Sequence, residues 1–145
     1  MKSGVKAMSK NEWDDSFSVG ISIFDEQHKV LFGYLNEMHD AMRVNPSRET
    51  IGRVLNGLVN YTMTHFMDEE VELMKAGYPD FEKHREAHDK LVSAARDFVV
   101  RYRTEKATPR RLAIEVVAVL TEWLKDHIMI ADKKYGEYLN AKGIR

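Results

Sequence analysis

The chain contains six imidazoles and no thiol: its histidines are His28, His39, His65, His84, His88 and His127, and cysteine is absent. Disulfides, zinc knuckles, Cys-ligated iron–sulfur clusters and thiolate-ligated haem are excluded together, so any metal chemistry must use nitrogen and oxygen donors. Spacing groups the candidate donors. His65 and Glu69 are four apart, as are His84 and His88. Residues at i and i+4 lie about 40° apart on a helix, so each pair can reach one point. His127 and Asp132 are five apart, which is about 140° around an ideal helix. Asp132 is therefore expected either to approach from the flank or to sit where the helix locally unwinds.

A lone histidine on an apolar helix face is more often a hydrogen-bonded core residue than a ligand. Five imidazoles and two carboxylates in one core are a different case. An unpartnered buried polar group costs about 1–3 kcal/mol and a carboxylate more, so seven together are hard to sustain without a counter-ion. Two carboxylates able to bridge, with five neutral imidazoles, suit a pair of divalent first-row metals better than one ion. Iron or manganese matches the donor mixture, and zinc stays open. Two familiar patterns fail. The ferritin-like signature needs glutamate three residues before histidine, whereas Asp25, Thr62, Phe81, Arg85 and Leu124 occupy those positions. The HExxH protease pattern fails because the acid between His84 and His88 is Glu86, about 200° from His84 around the helix.

The elements that must position these residues are helices. Pro46, Pro79 and Pro109 divide the chain into segments of similar length, and proline costs about 3 kcal/mol inside a helix, so each marks a boundary. Ser47 and Thr108 are suited to N-capping, Pro109 to a first helical position, and Gly77 to a helix end. The segments carry apolar stripes at three- and four-residue steps: Phe24-His28-Leu31-Leu35-Met38-Met42, Ile51-Leu55-Leu58-Thr62-His65-Glu69-Leu73, Phe81-His84-His88-Leu91-Ala95-Phe98-Tyr102 and Val116-Leu120-Leu124-His127-Ala131. These predict an all-α fold: an antiparallel up-down-up-down four-helix bundle with helices near 22–43, 47–76, 80–105 and 109–140, and an extended N-terminal arm over 1–20 that lays Trp13 and Phe17 on the bundle. Residues 1–145 read as one domain.

His39 follows His28 by eleven residues, which returns it to the same face but about 16 Å along the axis, so it cannot join the same site. It reads as a bundle-end or surface histidine. Glu26, Glu70 and Glu72 read as solvated or ligand-supporting charge, and the methionines Met38, Met42, Met63, Met67, Met74 and Met129 as core filler. With 22 Lys+Arg against 23 Asp+Glu the net charge is -1, so nothing overall favours nucleic acid or an anionic membrane. No stretch reads as a signal peptide or a membrane span, and a cytoplasmic location is expected.

The runs Trp13-Asp14-Asp15, Asp25-Glu26-Gln27-His28-Lys29, His65-Phe66-Met67-Asp68-Glu69-Glu70, Gly77-Tyr78-Pro79, His84-x-x-x-His88 and Trp123-Leu124-Lys125-Asp126-His127-Ile128, with Asp132-Lys133-Lys134-Tyr135, resemble the bacterial hemerythrins over roughly residues 13–139. The resemblance implies a di-iron centre: His84, His88 and His127 on one iron, His28 and His65 on the other, and Glu69, Asp132 and an oxo or hydroxo group bridging. It implies reversible dioxygen binding at the two-histidine iron, in an apolar pocket of Leu124 and Ile128 with Phe66, Trp123 and Trp13 as neighbours. Storage or delivery of oxygen is expected ahead of sensing, from a monomer, with a protein recipient possible. The competing readings are a di-iron enzyme using the same centre for oxidation, peroxide removal or nitric oxide reduction, and a structural or storage metal site.

Overall fold

The computed structural model describes residues 12–104 and 107–145. Its helices are α1 (Ser22–Arg43), α2 (Arg48–Lys75), α3 (Phe81–Thr104), α4 (Pro109–Asp126) and α5 (Lys133–Ala141), with a π-helical segment, His127–Asp132, joining the last two into one rod. No strand occurs among the described residues. α1 packs against α2 and α4, and α3 closes the square by packing against the same two. The connections are built from the expected local chemistry. Ser47 accepts from the Thr50 N–H, and Thr108 accepts from the Arg111 N–H with Pro109 at the first helical position. At the end of α2, Gly77 adopts φ 67°, and the Tyr78 N–H reaches back to the Leu73 carbonyl at 3.0 Å.

The stripes face inward. Leu31, Leu35, Met38, Ile51, Leu55, Leu73, Val116 and Leu139 are essentially inaccessible. Of the two places expected for His39, the surface is not the one observed: it is 4% exposed and lies about one turn before the end of α1. The methionines divide. Met38 and Met42 are core, but Met63, Met67, Met74 and Met129 are exposed because they lie off the stripe that faces the neighbouring helices.

The first eleven residues of the expected arm lie outside the described residues. The remainder contains a single 3-10 turn, Asp15–Phe17. Trp13 and Phe17 pack on Phe32, with ring centroids 5.8 and 5.1 Å away. Asp25 anchors the following residues: its Oδ1 accepts from the Val19 N–H at 2.9 Å and its Oδ2 from the Ser18 hydroxyl at 2.6 Å. At Gly136 in α5 a Cβ would lie 1.9 Å from the Val19 carbonyl oxygen, so only glycine lets the arm backbone come this close.

Candidate metal centre

Towards one end of the bundle, in the first turns of α1 and α3 and the C-terminal half of α2, the four stripes bring their polar residues to one place. Two groups form, each with donor atoms within 4.8 Å of one another: His84, His88, His127, Glu69 and Asp132, and His28, His65, Glu69 and Asp132. Both carboxylates belong to both groups. Glu69 turns Oε2 towards His28 (3.2 Å) and His65 (2.9 Å), and Oε1 towards His84 (3.2 Å) and His88 (3.3 Å). Asp132 places Oδ2 at 3.1 Å from His28, and Oδ1 at 3.0 Å from His127 and 3.3 Å from His84. All seven residues are buried, Glu69 and His28 completely.

The five-residue step from His127 to Asp132 is absorbed by the π-helical turn, in which the Lys133 N–H reaches the Ile128 carbonyl five residues back. Wider winding brings residues five apart onto nearly one face, which an α-helix would leave on opposite flanks. Of the two expected alternatives, local unwinding is the one observed.

Partners behind the imidazoles fix where their lone pairs point. Asp68 Oδ2 accepts from the Gln27 amide at 2.9 Å, which leaves Gln27 Oε1 to accept from His65 Nδ1 at 2.6 Å. Glu70 Oε2 lies 2.8 Å from His88 Nδ1. Each acceptor holds a proton on Nδ1 and leaves a lone pair on Nε2, directed inward. His65 Nε2 then confronts a Glu69 oxygen, and His88 Nε2 stands 3.1 Å from His127 Nε2. Asp132 Oδ1 makes no hydrogen bond among the described residues despite its two imidazole neighbours. Lone pairs facing lone pairs in a dry core repel unless a cation lies between them. The donor set fits a pair of metal ions.

Without a cation, protons must take that role. Burial alone would lower the histidines, but Asp132 and Glu69 outweigh it and raise His28 and His84 to about 9. Burial opposes ionisation of Glu69 and Asp132 also, and the surrounding imidazoles still hold both below the usual carboxylate range. Tyr135, fully buried, donates to Glu69 Oε2 at 2.5 Å. Burial and the Glu69 and Asp132 charges push the phenol well above its ordinary value, so it stays a donor.

Aromatic rings pin the imidazoles from the side. Phe66 stacks on His88 at 3.7 Å and 2°, and Trp123 on His127 at 4.3 Å and 14°. Ile128 is completely buried. Leu124 lines a small, largely apolar cavity of about 10 Å³, together with Leu31, Leu35, Leu58, Leu91, Leu120 and Thr62. Ile128, Phe66, Trp123 and Trp13 are not among those residues; Trp13 lies between Phe17, Phe32 and the Lys29 ammonium. Three polar partners had been given no specific place by the sequence reading: Gln27, Glu70 as the acceptor for His88, and Tyr135. Each carried a signal. Gln27 and Glu70 are chain neighbours of ligand candidates, and Tyr135 falls three residues after Asp132, on its face.

Comparison with known proteins agrees with this arrangement. The family described as the hemerythrin HHE cation binding domain matches residues 19–139. A bacteriohemerythrin from Methylococcus capsulatus is 34% identical over 125 residues, which is 86% of this chain and 92% of that protein. A hemerythrin-like protein of Naegleria gruberi is 32% identical over 85% of this chain and 88% of its own length. A crystal structure of wild-type hemerythrin matches with a TM-score of 0.82 at 32% identity, covering 89% of this chain and 97% of that one. With four helices in the same arrangement and a family match across the whole bundle, the chain belongs to the hemerythrin family.

Proposed function

We propose that this chain is a non-haem di-iron protein that binds dioxygen reversibly for storage or delivery. His84, His88 and His127 would hold one iron, His28 and His65 the other, with Glu69, Asp132 and an oxo or hydroxo group between them. The observation that carries this reading is the inward set of imidazole lone pairs, fixed from behind by Gln27 and Glu70, around two carboxylates that each face both groups. Bound there, two irons supply the paired one-electron change that reversible dioxygen capture needs.

The protein residues supply the conditions. Glu69 and Asp132 offset the cationic charge, and Tyr135 holds Glu69 in place through its hydroxyl. Phe66 and Trp123 prevent His88 and His127 from rotating. Leucines beside the imidazoles exclude water, which would otherwise deliver protons and displace the ligand. This wall favours a carrier over an enzyme, since an oxidase would need an ionisable acid facing its substrate: the nearby phenol is committed to Glu69, and Thr62, whose side chain lies on the wall, is an alcohol that does not give up its proton near neutral pH. The test is to reduce the iron-loaded protein without air, admit oxygen and record the visible spectrum. A charge-transfer band that appears with oxygen and vanishes on its removal is expected. Immediate irreversible bleaching, or turnover of an added co-substrate, would defeat the carrier reading.

A further inference from the structure

The cavity beside the site has a built polarity that its leucines conceal. In the antiparallel bundle, a step of three residues from each of four imidazoles alternates in sign around the square and lands in one layer: Leu31 after His28, Thr62 before His65, Leu91 after His88 and Leu124 before His127. That layer lies about 4.5 Å further along the axis than the imidazoles. Three of its four members are leucine. Among the described residues Thr62 carries the only polar side chain on the cavity wall.

Thr62 is 6% exposed as a residue, while its hydroxyl oxygen keeps some accessible surface of its own and is not a sealed atom left without a partner. Thr64, two residues on, bonds back to the Asn60 carbonyl at 3.1 Å in the usual manner of helical threonine. The Thr62 hydroxyl makes no such bond, nor any other among the described residues. The other polar groups near the site are already committed: Tyr135 to Glu69, Glu70 to His88 and Gln27 to His65. The cavity, at about 10 Å³, has room for about one heavy atom beyond the imidazole layer. Thr62 stands on the helix of His65, the side of the two-histidine group.

We infer that Thr62 is the specificity-determining residue of this pocket, its hydroxyl donating a hydrogen bond to the outer atom of a small ligand held above His28 and His65. The ligand class is a diatomic molecule or small anion with a lone pair on its far end. Such a donor discriminates against ligands that cannot accept, and it holds an accepting ligand in one orientation. The inference rests on the di-iron reading.

The probe is azide, titrated into the iron-loaded, oxidised protein and followed by its charge-transfer absorption and its infrared stretch. Thr62→Val keeps the side-chain shape and removes the donor; it is expected to weaken azide binding about tenfold or more and to shift the stretch. Thr62→Ser is expected to retain wild-type affinity and frequency. Iron content and melting temperature are measured on each variant, and if Thr62→Val loads poorly, Thr62→Ala is compared with Thr62→Ser instead. Wild-type affinity with an unshifted stretch in the donor-free variant would overturn the inference, as would Thr62→Ser binding as weakly as that variant. A loaded wild-type protein that gives no azide band at all would instead overturn the di-iron reading on which it stands.

Discussion

Replacing Tyr135 by phenylalanine removes one oxygen atom from the interior of the molecule and leaves the packing in place. The ring stays edge-on to Phe24, whose centroid is 5.7 Å away, and against His84 at 5.3 Å. What is lost is the hydroxyl that donates to Glu69 Oε2 at 2.5 Å, with donor and acceptor both completely buried. A hydrogen bond to a charged acceptor contributes about 1.5–3 kcal/mol, and here no water can replace it. At about 4 °C per kcal/mol for a domain of this size, the variant should melt about 6–12 °C below wild type. In the loaded protein the same change frees Glu69 to rotate, and loss of such a supporting partner typically weakens metal binding about 10–100-fold. Thermal unfolding of the metal-free protein and competition with a chelator measure the two effects separately. A Tyr135→Phe protein that melts with wild type and gives up its metal no faster would refute the assignment of Tyr135 as the holder of Glu69.

Three further outcomes are expected. Leu124→Ala should enlarge the cavity, destabilise the fold by about 2–5 kcal/mol and speed autoxidation of the oxygenated protein, since water gains access; unchanged autoxidation would remove Leu124 from any gatekeeping role. In the metal-free protein His28 and His84 titrate at about 9 against an ordinary 6.5, so the stability they contribute is complete below 6.5 and disappears as pH rises through 9. Chelator-treated protein should lose melting temperature across that window, and metal loading near neutral pH should release protons; a flat or rising profile contradicts the assignment. Gly136→Ala should force the arm off α5, costing about 1–3 kcal/mol, and protease sensitivity between Trp13 and Ile21 would report it.

Much of this arrangement was legible in the sequence because it depends on local periodicity. Three- and four-residue steps place His28, His65, His84, His88 and His127 on apolar stripes, and stripes separated by proline imply a bundle. The five-residue step to Asp132 even announced an irregular turn. What periodicity does not carry is the relative height of one helix against another. Gln27 meets His65, Glu70 meets His88 and Tyr135 meets Glu69 only because four rods are held in one axial register. The same limit applies to His39 and the outer methionines. Whether a residue at the edge of a stripe is covered depends on the neighbouring helix, and so His39 is buried while Met67 and Met74 are not.

The π-helical segment also affects how this chain is to be counted. The inward positions of the last rod run Leu120, Leu124, His127, Asp132, Tyr135 and Leu139, a regular alternation of fours and threes broken by a single step of five. The rod therefore holds one supernumerary residue between His127 and Asp132, in a stretch that includes Ile130, exposed at 72%. Aligning this segment with an uninterrupted helix requires a gap of one residue within 128–131. Without that gap, Tyr135 and Leu139 would be paired with surface positions.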